Sequence, residues 1–348
     1  MYSLLKPFIF KIDPEAAHDL AIKSLKYNFL PEDIFKVENE SILETEIFKT
    51  KIKNPIGLAA GFDKSAEVYN SLFKFGFGFI EVGTVTPREQ FGNPKPRVFR
   101  LENDKALINR LGFNNDGLEK VLNRLRKNSP NGILGVNIGP NRDSDNRVDD
   151  YLKCLKEIHL FANYITINIS SPNTPNLRDF HEENTLQNLL KSITDFTKKN
   201  KIKKPLVLKI SPDINDSEIS YIIEFTKKFK IQGIVISNTT DKNRENLREN
   251  NKTETGGLSG KPLEKISNDL IKKFYKEINA ETTIIGVGGV NSGLTAYNKL
   301  QSGASLLQLY TGMVYEGPGI VKKIKAELID ILKKEKIKNV SEIVGSGS

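Results

Sequence analysis

Amide, hydroxyl and lysine side chains recur where the apolar, β-branched runs of this 348-residue sequence end. In chain order these positions are Lys64, Thr84, Asn137, Asn168, Lys209, Asn238, Tyr310 and Thr311. One asparagine at such a position usually forms a turn, but a whole set of polar strand ends favours a binding site. Amides both donate and accept hydrogen bonds, which suits a planar ring with alternating N–H and C=O groups, and lysines suit anionic or electron-accepting groups. The pattern therefore predicts a site for flat, polar heterocycles.

Glycine-rich turns follow the last two of these runs, in IIGVGGVNSG (284–293) and LYTGMVYEGPG (309–319). Turns of this kind after parallel strands can bind a phosphate through backbone N–H groups. A phosphate, two flat polar surfaces and a lysine together suggest flavin mononucleotide (FMN) with a substrate stacked on it.

Other chemistry has little support in the sequence. Cys154 is the only cysteine, and His18, His159 and His181 lie far apart without metal-ligand spacing, so neither a metal site nor a disulfide framework is expected. No carboxylate pair or Ser-His-Asp order favours hydrolysis. The net charge of +9 fits either a lysine-rich surface or attraction to an anionic partner. We expect no nucleic-acid binding, since no basic tract is interleaved with aromatic residues.

Eight short apolar runs recur along the chain, each followed by turn residues and mostly then by a helical pattern. They are NPIGLAAG (54–61), FIEVGTV (79–85), ILGVNIG (133–139), YITINIS (164–170), LVLKIS (206–211), GIVISNT (233–239), IIGVGGV (284–290) and SLLQLYTG (305–312). Near-continuous apolar runs are typical of parallel strands buried on both faces. They predict an α/β fold, a single (β/α)8 TIM barrel. In the rival doubly wound sheet, the glycine fingerprint would follow the first strand, not the seventh.

The connections 86–132 and 240–283 are longer than a crossover helix requires. Both follow the carboxyl ends of strands, so we expect them to form pocket walls or lids. Residues 44–340 are expected to form the FMN-binding barrel and residues 341–348 a flexible tail.

Residues 1–43 precede the barrel and read as two amphipathic helices, with Asp13 as N-cap and Pro14 at the first helical position of the second. They either cap the barrel bottom or lie on a membrane surface. No apolar run reaches the roughly 18 residues of a spanning helix, and no signal-peptide cleavage pattern is present. We expect an intracellular protein that does not cross a membrane.

Several stretches closely resemble the dihydroorotate dehydrogenase family. They are LAAGFDK (58–64), EVGTVTP (81–87), GNPKPRVFRL (92–101), INRLGFNN (108–115), NISSPNTPNLR (168–178), NTT (238–240), TGGLSGKPL (255–263) and GVGGVNSG (286–293). The N-terminal extension and a serine in the fourth loop are similar to the membrane-associated, quinone-reducing class 2, whereas the soluble class 1 carries a cysteine base and lacks the extension. The resemblance implies oxidation of dihydroorotate to orotate in pyrimidine biosynthesis, with FMN as hydride acceptor and ubiquinone or menaquinone as final acceptor.

The resemblance also assigns roles to residues. Ser171 matches the base, with Thr174 and a water near Phe113 as its proton relay, because an isolated serine hydroxyl is a weak base. Substrate contacts match Lys64, Asn109, Arg110, Leu111, Gly112, Phe113, Asn168, Asn173, Asn238 and Thr239. Flavin contacts match Ala60, Gly61, Phe62, Asp63, Lys64, Thr84, Asn137, Asn168, Lys209, Ser237, Gly260, Gly289, Tyr310 and Thr311. Quinone-tunnel positions match His18, Arg100 and Tyr310.

Three positions depart from the family pattern. Asn176 stands where many members have glycine, which predicts a stiffer loop hinge; Ser237 replaces a common threonine; and GPN (139–141) replaces a lysine-containing turn. None touches the proposed base. The remaining expectations are a monomer and a peripheral protein on an anionic surface, the cytoplasmic face of a bacterial cell membrane.

Three alternatives remain open on the sequence. The first is a soluble flavin barrel that uses fumarate or an electron-transfer partner. The second is a flavin-free, phosphate-binding lyase or synthase. The third is a non-catalytic scaffold, which leaves the polar strand ends unexplained.

Overall fold

Eight parallel strands close into a barrel in the computed structural model, which describes residues 2–27, 41–278 and 281–348. In chain order the strands are β1 (Thr45–Ile47), β2 (Thr50–Ile52), β3 (Ile56–Leu58), β4 (Phe79–Val85), β5 (Val98–Leu101), β6 (Ala106–Asn109), β7 (Ile133–Ile138), β8 (Tyr164–Asn168), β9 (Leu206–Lys209), β10 (Gly233–Ile236), β11 (Gly257–Gly260), β12 (Thr283–Val287) and β13 (Leu306–Leu309). The α-helices are α1 (Tyr2–Ile9), α2 (Pro14–Lys26), α3 (Tyr69–Phe73), α4 (Leu118–Lys127), α5 (Arg147–Ile158), α6 (Glu183–Lys199), α7 (Asp216–Lys228), α8 (Leu263–Glu277), α9 (Gly293–Gln301), α10 (Thr311–Glu316) and α11 (Ile320–Lys334). Short 3-10 helices span Ser41–Leu43, Leu177–His181, Asn250–Thr253 and Val340–Ile343.

The barrel has the strand order β3-β4-β7-β8-β9-β10-β12-β13 and closes where β13 pairs with β3. Each of the eight apolar runs contains one barrel strand, so the predicted single (β/α)8 barrel is confirmed. Closure excludes the doubly wound alternative, whose sheet keeps two open edges. Strand β4 is buried along its whole length, as its apolar sequence predicts.

A hairpin of β1 and β2 seals the N-terminal end of the barrel. Its buried Ile47 and Ile52 form one apolar cluster with barrel residues Phe79, Tyr164, Val207, Val235, Ile285 and Leu306. Burying each isoleucine stabilises the fold by about 1.5–3 kcal/mol. The open end of the barrel is therefore its carboxyl end.

The two long connections meet above this open end. The first supplies β5 and β6, the second supplies β11, and the three strands form an antiparallel sheet in the order β11-β6-β5. Leu107 and Asn109 of β6 and Ser259 of β11 line the cavity at the mouth. The prediction that these connections form pocket walls is confirmed.

Helix α2 lies against β5 of the same sheet, and α1 lies against α10. Asp13 caps α2 by accepting from the amides of Glu15 and Ala16 at 3.0 and 2.9 Å, and Pro14 begins the helix, as predicted. Glu15 then accepts from Nη2 and Nε of the buried Arg97 at 2.6 and 3.0 Å, a two-bond ion pair that ties α2 to the segment before β5. The hydrogen bonds from Arg97 lower the pKa of Glu15.

The contacts of the N-terminal helices exclude one of the two interpretations of this segment. Arg100 of β5 donates to the carbonyls of Phe10 and Ile12, and Tyr2 donates to the carbonyl of Val314. The alternative in which the helices cap the barrel bottom is wrong, because the β1–β2 hairpin occupies that end. No helix in the described part of the chain is long and apolar enough to cross a membrane. The stretch 28–40 within the predicted 1–43 segment lies outside the described residues.

Residues 341–348, expected as a flexible tail, are held against α9. The amides of Gly345 and Gly347 donate to the carbonyls of Leu300 and Gln301, each at 3.0 Å, and Tyr275 donates to the carbonyl of Val344.

Candidate active site

One cavity of about 1000 Å³ runs from the barrel mouth to the space between α1, α2 and the β11-β6-β5 sheet. Its inner part is lined by strand-end residues such as Thr84, Asn168 and Lys209. Its outer part is lined by apolar residues of the two helices, among them Leu5 and Ile9. The polar and the apolar parts therefore belong to one continuous cavity.

Most of the sequence-predicted site residues line this cavity. They are His18, Ala60, Gly61, Phe62, Lys64, Thr84, Arg100, Asn109, Leu111, Gly112, Phe113, Asn168, Ser171, Asn173, Lys209, Ser237, Asn238, Thr239, Gly260, Gly289, Tyr310 and Thr311. The closed barrel and the sheet above it explain this convergence, because they direct the ends of many strands to one place.

Four predicted residues lie outside the lining. Asn137 is fully buried behind Thr84 and Asn168, and Asp63 accepts from the amides of Glu67 and Val68. The Arg110 guanidinium faces away from the cavity and pairs with Glu254 at 2.6 Å. Thr174 is buried, and its Oγ1 has no hydrogen-bond partner among the described residues.

The two loop serines occupy different environments. The Ser170 hydroxyl is fully buried, donates to Asn168 Oδ1 at 2.8 Å and accepts from Asn238 Nδ2 at 2.8 Å, so its hydrogen bonds are used internally. Ser171 lines the cavity, and its Oγ accepts from the backbone amide of Asn173 at 3.2 Å. Only Ser171 of the pair faces the space where a substrate can bind.

Asn176 adopts a left-handed conformation, with φ of +55°. Asparagine is one of the few residues besides glycine that tolerate this region. Asn176 can therefore adopt the backbone conformation that would suit glycine at this position.

Amides of two different elements meet on the outer side of the serine loop. Asn173 Nδ2 donates to Asn109 Oδ1 at 3.2 Å, which joins the loop after β8 to the end of β6. Thr239 lines the same region, and its buried Oγ1 has no partner within the described chain. Unused polar atoms beside paired amides suit a polar ring that completes their hydrogen bonds.

Lys64 and His18 meet between the inner and outer parts of the cavity. Lys64 Nζ donates to His18 Nε2 at 3.2 Å. Burial lowers the pKa of Lys64 to about 8, with nearby carboxylates, Glu15 first, raising it. Burial and then the charge of Lys64 lower the pKa of His18 to about 3, so the imidazole is neutral near pH 7. Here the Lys64 side chain is directed to helix α2.

The cavity contains polar groups that suit a bound flavin. Lys209 is fully buried, and that burial lowers its pKa, opposed by the charge of Glu81. Gly288 and Gly289 line the wall with φ of +115° and +78°, a conformation that favours glycine, and a Cβ on either residue would collide with Leu263 or Glu264 of helix α8. Gln308 adds a buried Oε1 without a partner among the residues described. These groups suit a flavin ring and its phosphate.

Sequence reasoning missed Glu81 and Gln308, two buried polar residues of the barrel interior. Gln308 lines the cavity, and its Nε2 donates to Glu81 Oε2 at 2.9 Å. Their signal was a strongly polar residue with an apolar neighbour on each side, IEV (80–82) in FIEVGTV and LQL (307–309) in SLLQLYTG.

Comparisons with known proteins agree on one family. The family model described as dihydroorotate dehydrogenase matches residues 42–332. A dihydroorotate dehydrogenase (quinone) from Christiangramia forsetii is 46% identical over 337 residues, covering 94% of this chain and 98% of the relative. Another from Bradyrhizobium diazoefficiens is 43% identical over 349 residues, covering 99% and 95%. The crystal structure of DHODH from Eimeria tenella in complex with ferulenol superposes with a TM-score of 0.91 at 38% identity, covering 96% of this chain and 95% of that one.

The Lys64–His18 contact makes a prediction about protonation. In ¹⁵N-histidine NMR spectra, the His18 ring should stay neutral from pH 8 down to pH 5, because its pKa is about 3. Lys64→Met should raise this pKa, since it removes a positive charge, although burial still opposes protonation. Lys209→Met, a matched change elsewhere in the cavity, should leave His18 unaffected. A His18 midpoint between pH 5 and 8 in the unaltered protein would contradict the described contact.

Proposed function

Because the chain belongs to the dihydroorotate dehydrogenase family, we propose that it oxidises dihydroorotate to orotate and passes the electrons to a quinone. The family is flavin-dependent, and FMN is the form we propose here, one per chain. The observation that carries the proposal is the single cavity that joins polar strand ends to an apolar space between α1 and α2. Neither a flavin-free barrel nor a non-catalytic scaffold accounts for both the polar and the apolar part of this cavity.

In the first half-reaction, the polar part of the cavity binds and orients dihydroorotate. Asn109, Asn173 and Asn238 supply amide donors and acceptors to the ring, and Thr239 adds a hydroxyl. Ser171 Oγ takes the proton from C5, and a bound flavin would accept the hydride from C6. The flavin, when bound, supplies the hydride-accepting ring.

A serine base must pass its proton on. Thr174 belongs to the same loop, three residues after Ser171, and its Oγ1 is buried without a partner in the described part of the chain. We assign Thr174, with a water near Phe113, to the relay. The Asn173 amide, which donates to Ser171 Oγ, holds the base in place.

Lys209 and the glycine turns form the proposed cofactor side of the cavity. An ammonium beside the flavin stabilises a ring that gains negative charge on reduction. We propose that Gly289 and Thr311, where α10 begins, bind the phosphate of the cofactor. Asn137, which does not line the cavity, would act on the flavin through Thr84 and Asn168.

The second half-reaction belongs to the outer part of the cavity. His18, Arg100 and Tyr310 line it together with apolar side chains of α1 and α2. An apolar ring with polar carbonyl groups matches such a wall, and this is the chemistry of a quinone. Ubiquinone and menaquinone both fit this description.

The outer surface of the same helices suits a membrane interface. Leu4, Leu5, Phe8 and Leu20 are exposed, and lysines flank them. Exposed apolar side chains beside lysines favour the surface of an anionic bilayer. We therefore propose a monomeric, peripheral protein on the cytoplasmic face of a bacterial cell membrane, with the cavity mouth towards the lipid.

The reaction itself can be tested on the purified protein. It should show flavin absorption that bleaches when dihydroorotate is added without oxygen. Oxidised quinone should restore the absorption, and fumarate should not. A colourless protein, or one that dihydroorotate does not bleach, would refute the assignment, and rapid reoxidation by fumarate would favour the soluble class.

Ser171→Ala should keep the flavin but slow its reduction at saturating dihydroorotate by several orders of magnitude, because C5 loses its proton acceptor. Ser170→Ala is the matched control, since it removes the neighbouring hydroxyl from outside the cavity and leaves the base. Stopped-flow measurement of flavin bleaching compares the two. If Ser170→Ala abolishes reduction at saturation while Ser171→Ala does not, the other serine is the base.

Leu4→Glu combined with Phe8→Glu should weaken binding to anionic phospholipid vesicles by about tenfold or more, because burying two apolar side chains contributes several kcal/mol. Turnover with a long-tailed quinone in vesicles should fall with it, while a water-soluble dye acceptor should still support full turnover.

The control for membrane docking is Leu160→Glu, because Leu160 is 64% exposed, comparable to Leu4 at 76% and Phe8 at 68%, and follows α5 at the opposite end of the barrel. Vesicle sedimentation and both assays are run on each variant. Equal vesicle binding by the helix variant and the control would contradict the proposed docking face.

A further inference from the structure

Glu81 is a fully buried carboxylate inside the barrel, below the polar part of the cavity. Three neutral groups from three other strands donate to it: Asn137 Nδ2 at 2.8 Å, Tyr164 OH at 3.0 Å and Gln308 Nε2 at 2.9 Å. Burying a charge is costly, and the apolar core around β4 has no need of one. The cost of burying Glu81 therefore indicates that its carboxylate has a role in the site above it.

The carboxylate imposes a direction on the amides that follow it. A carboxylate only accepts hydrogen bonds, so Asn137 must turn its NH2 group to Glu81 and its Oδ1 away. That Oδ1 then accepts from Thr84 Oγ1 at 2.6 Å and from Asn168 Nδ2 at 3.1 Å. Asn168 is thereby left with Oδ1 free to accept on its other side.

The same direction continues across the barrel mouth to the substrate side. Asn168 Oδ1 accepts from Ser170 Oγ, and Ser170 Oγ accepts from Asn238 Nδ2, each at 2.8 Å. Every link has one donor and one acceptor, so reversing one amide would set donor against donor at the next. Asn168 and Asn238 both line the cavity, and the chain that orients them starts at Glu81.

Glu81 also provides the negative charge that acts on Lys209. Burial lowers the pKa of Lys209, and the charge of Glu81 is the influence that opposes it. The positive charge of Lys209, on the proposed flavin side of the cavity, is thus balanced by the negative charge of Glu81.

We propose that Glu81 is a positioning residue, which fixes the donor–acceptor orientation of the Asn137–Asn168–Ser170–Asn238 chain and balances the charge of Lys209. It does not touch the substrate and acts through these side chains. The inference rests on the proposed function, because it needs a flavin and a dihydroorotate ring bound above these hydrogen-bonded side chains.

Glu81→Gln tests the proposal on the flavin-loaded protein. Glutamine keeps the shape, but it removes the charge and one of two acceptors and adds N–H groups, so the reversed orientation of Asn137 becomes accessible. Orotate should bind about tenfold more weakly or worse, and the flavin midpoint potential should shift in the positive direction. Orotate affinity is read from the flavin absorption change and the potential against a reference dye.

Tyr164→Phe is the matched control, because it removes another donor to Glu81 but leaves the charge and the amide chain intact. It should leave the orotate affinity within about twofold and the flavin potential unchanged, even if the melting temperature falls. The proposal is overturned if Glu81→Gln leaves either the affinity or the potential at the value of this control.

A second variant covers the case in which Glu81→Gln does not fold. Ser170→Ala breaks the same chain at its far end, so it should weaken orotate binding by about tenfold while the flavin stays bound and reducible. Unchanged orotate affinity would overturn the proposal. Failure of the proposed function is distinguishable, because it would leave the unaltered protein colourless or unbleached by dihydroorotate.

Discussion

The pairing of β13 with β3 closes the barrel, and the arrangement of the whole site depends on this closure. Leu307 lies opposite Ile56 and Leu309 opposite Leu58, so the last strand of the barrel meets the first. In an open sheet, the two outermost strand ends would be the width of the sheet apart. In the closed barrel, the ends of all eight strands surround one mouth, and residues from distant parts of the sequence reach the same cavity.

Local signals made much of this fold and site predictable. The eight apolar runs identify the strands, and Asp13-Pro14 identifies the start of α2, since both depend on residues adjacent in sequence. A local pattern cannot show whether a side chain reaches the cavity or lies behind its wall. Asn137 and Asn168 stand at similar strand ends, yet Asn168 lines the cavity and Asn137 lies behind it. Lys64 likewise turns towards a helix 46 residues upstream, a direction that only tertiary packing decides.

The buried polar residues show a second limit of sequence reasoning. A glutamate in FIEVGTV can belong to either face of a strand until the barrel is built, and its partners come from three other strands. Because hydrogen bonds in such a network support one another, the value of each residue depends on the rest. The resemblance to a family supplied the residues proposed to contact ligands, but the supporting residues behind them became visible only in three dimensions.

The hairpin that seals the barrel bottom constrains how the chain reaches its folded state. Ile47 and Ile52 precede every barrel strand in sequence, yet they pack against residues of six strands, up to Leu306. During synthesis, this seal therefore has no complete surface to pack against until most of the chain has left the ribosome. Such long-range contacts slow folding and leave apolar surface exposed meanwhile. The N-terminal hairpin is thus among the first parts to be made and among the last to find its final environment.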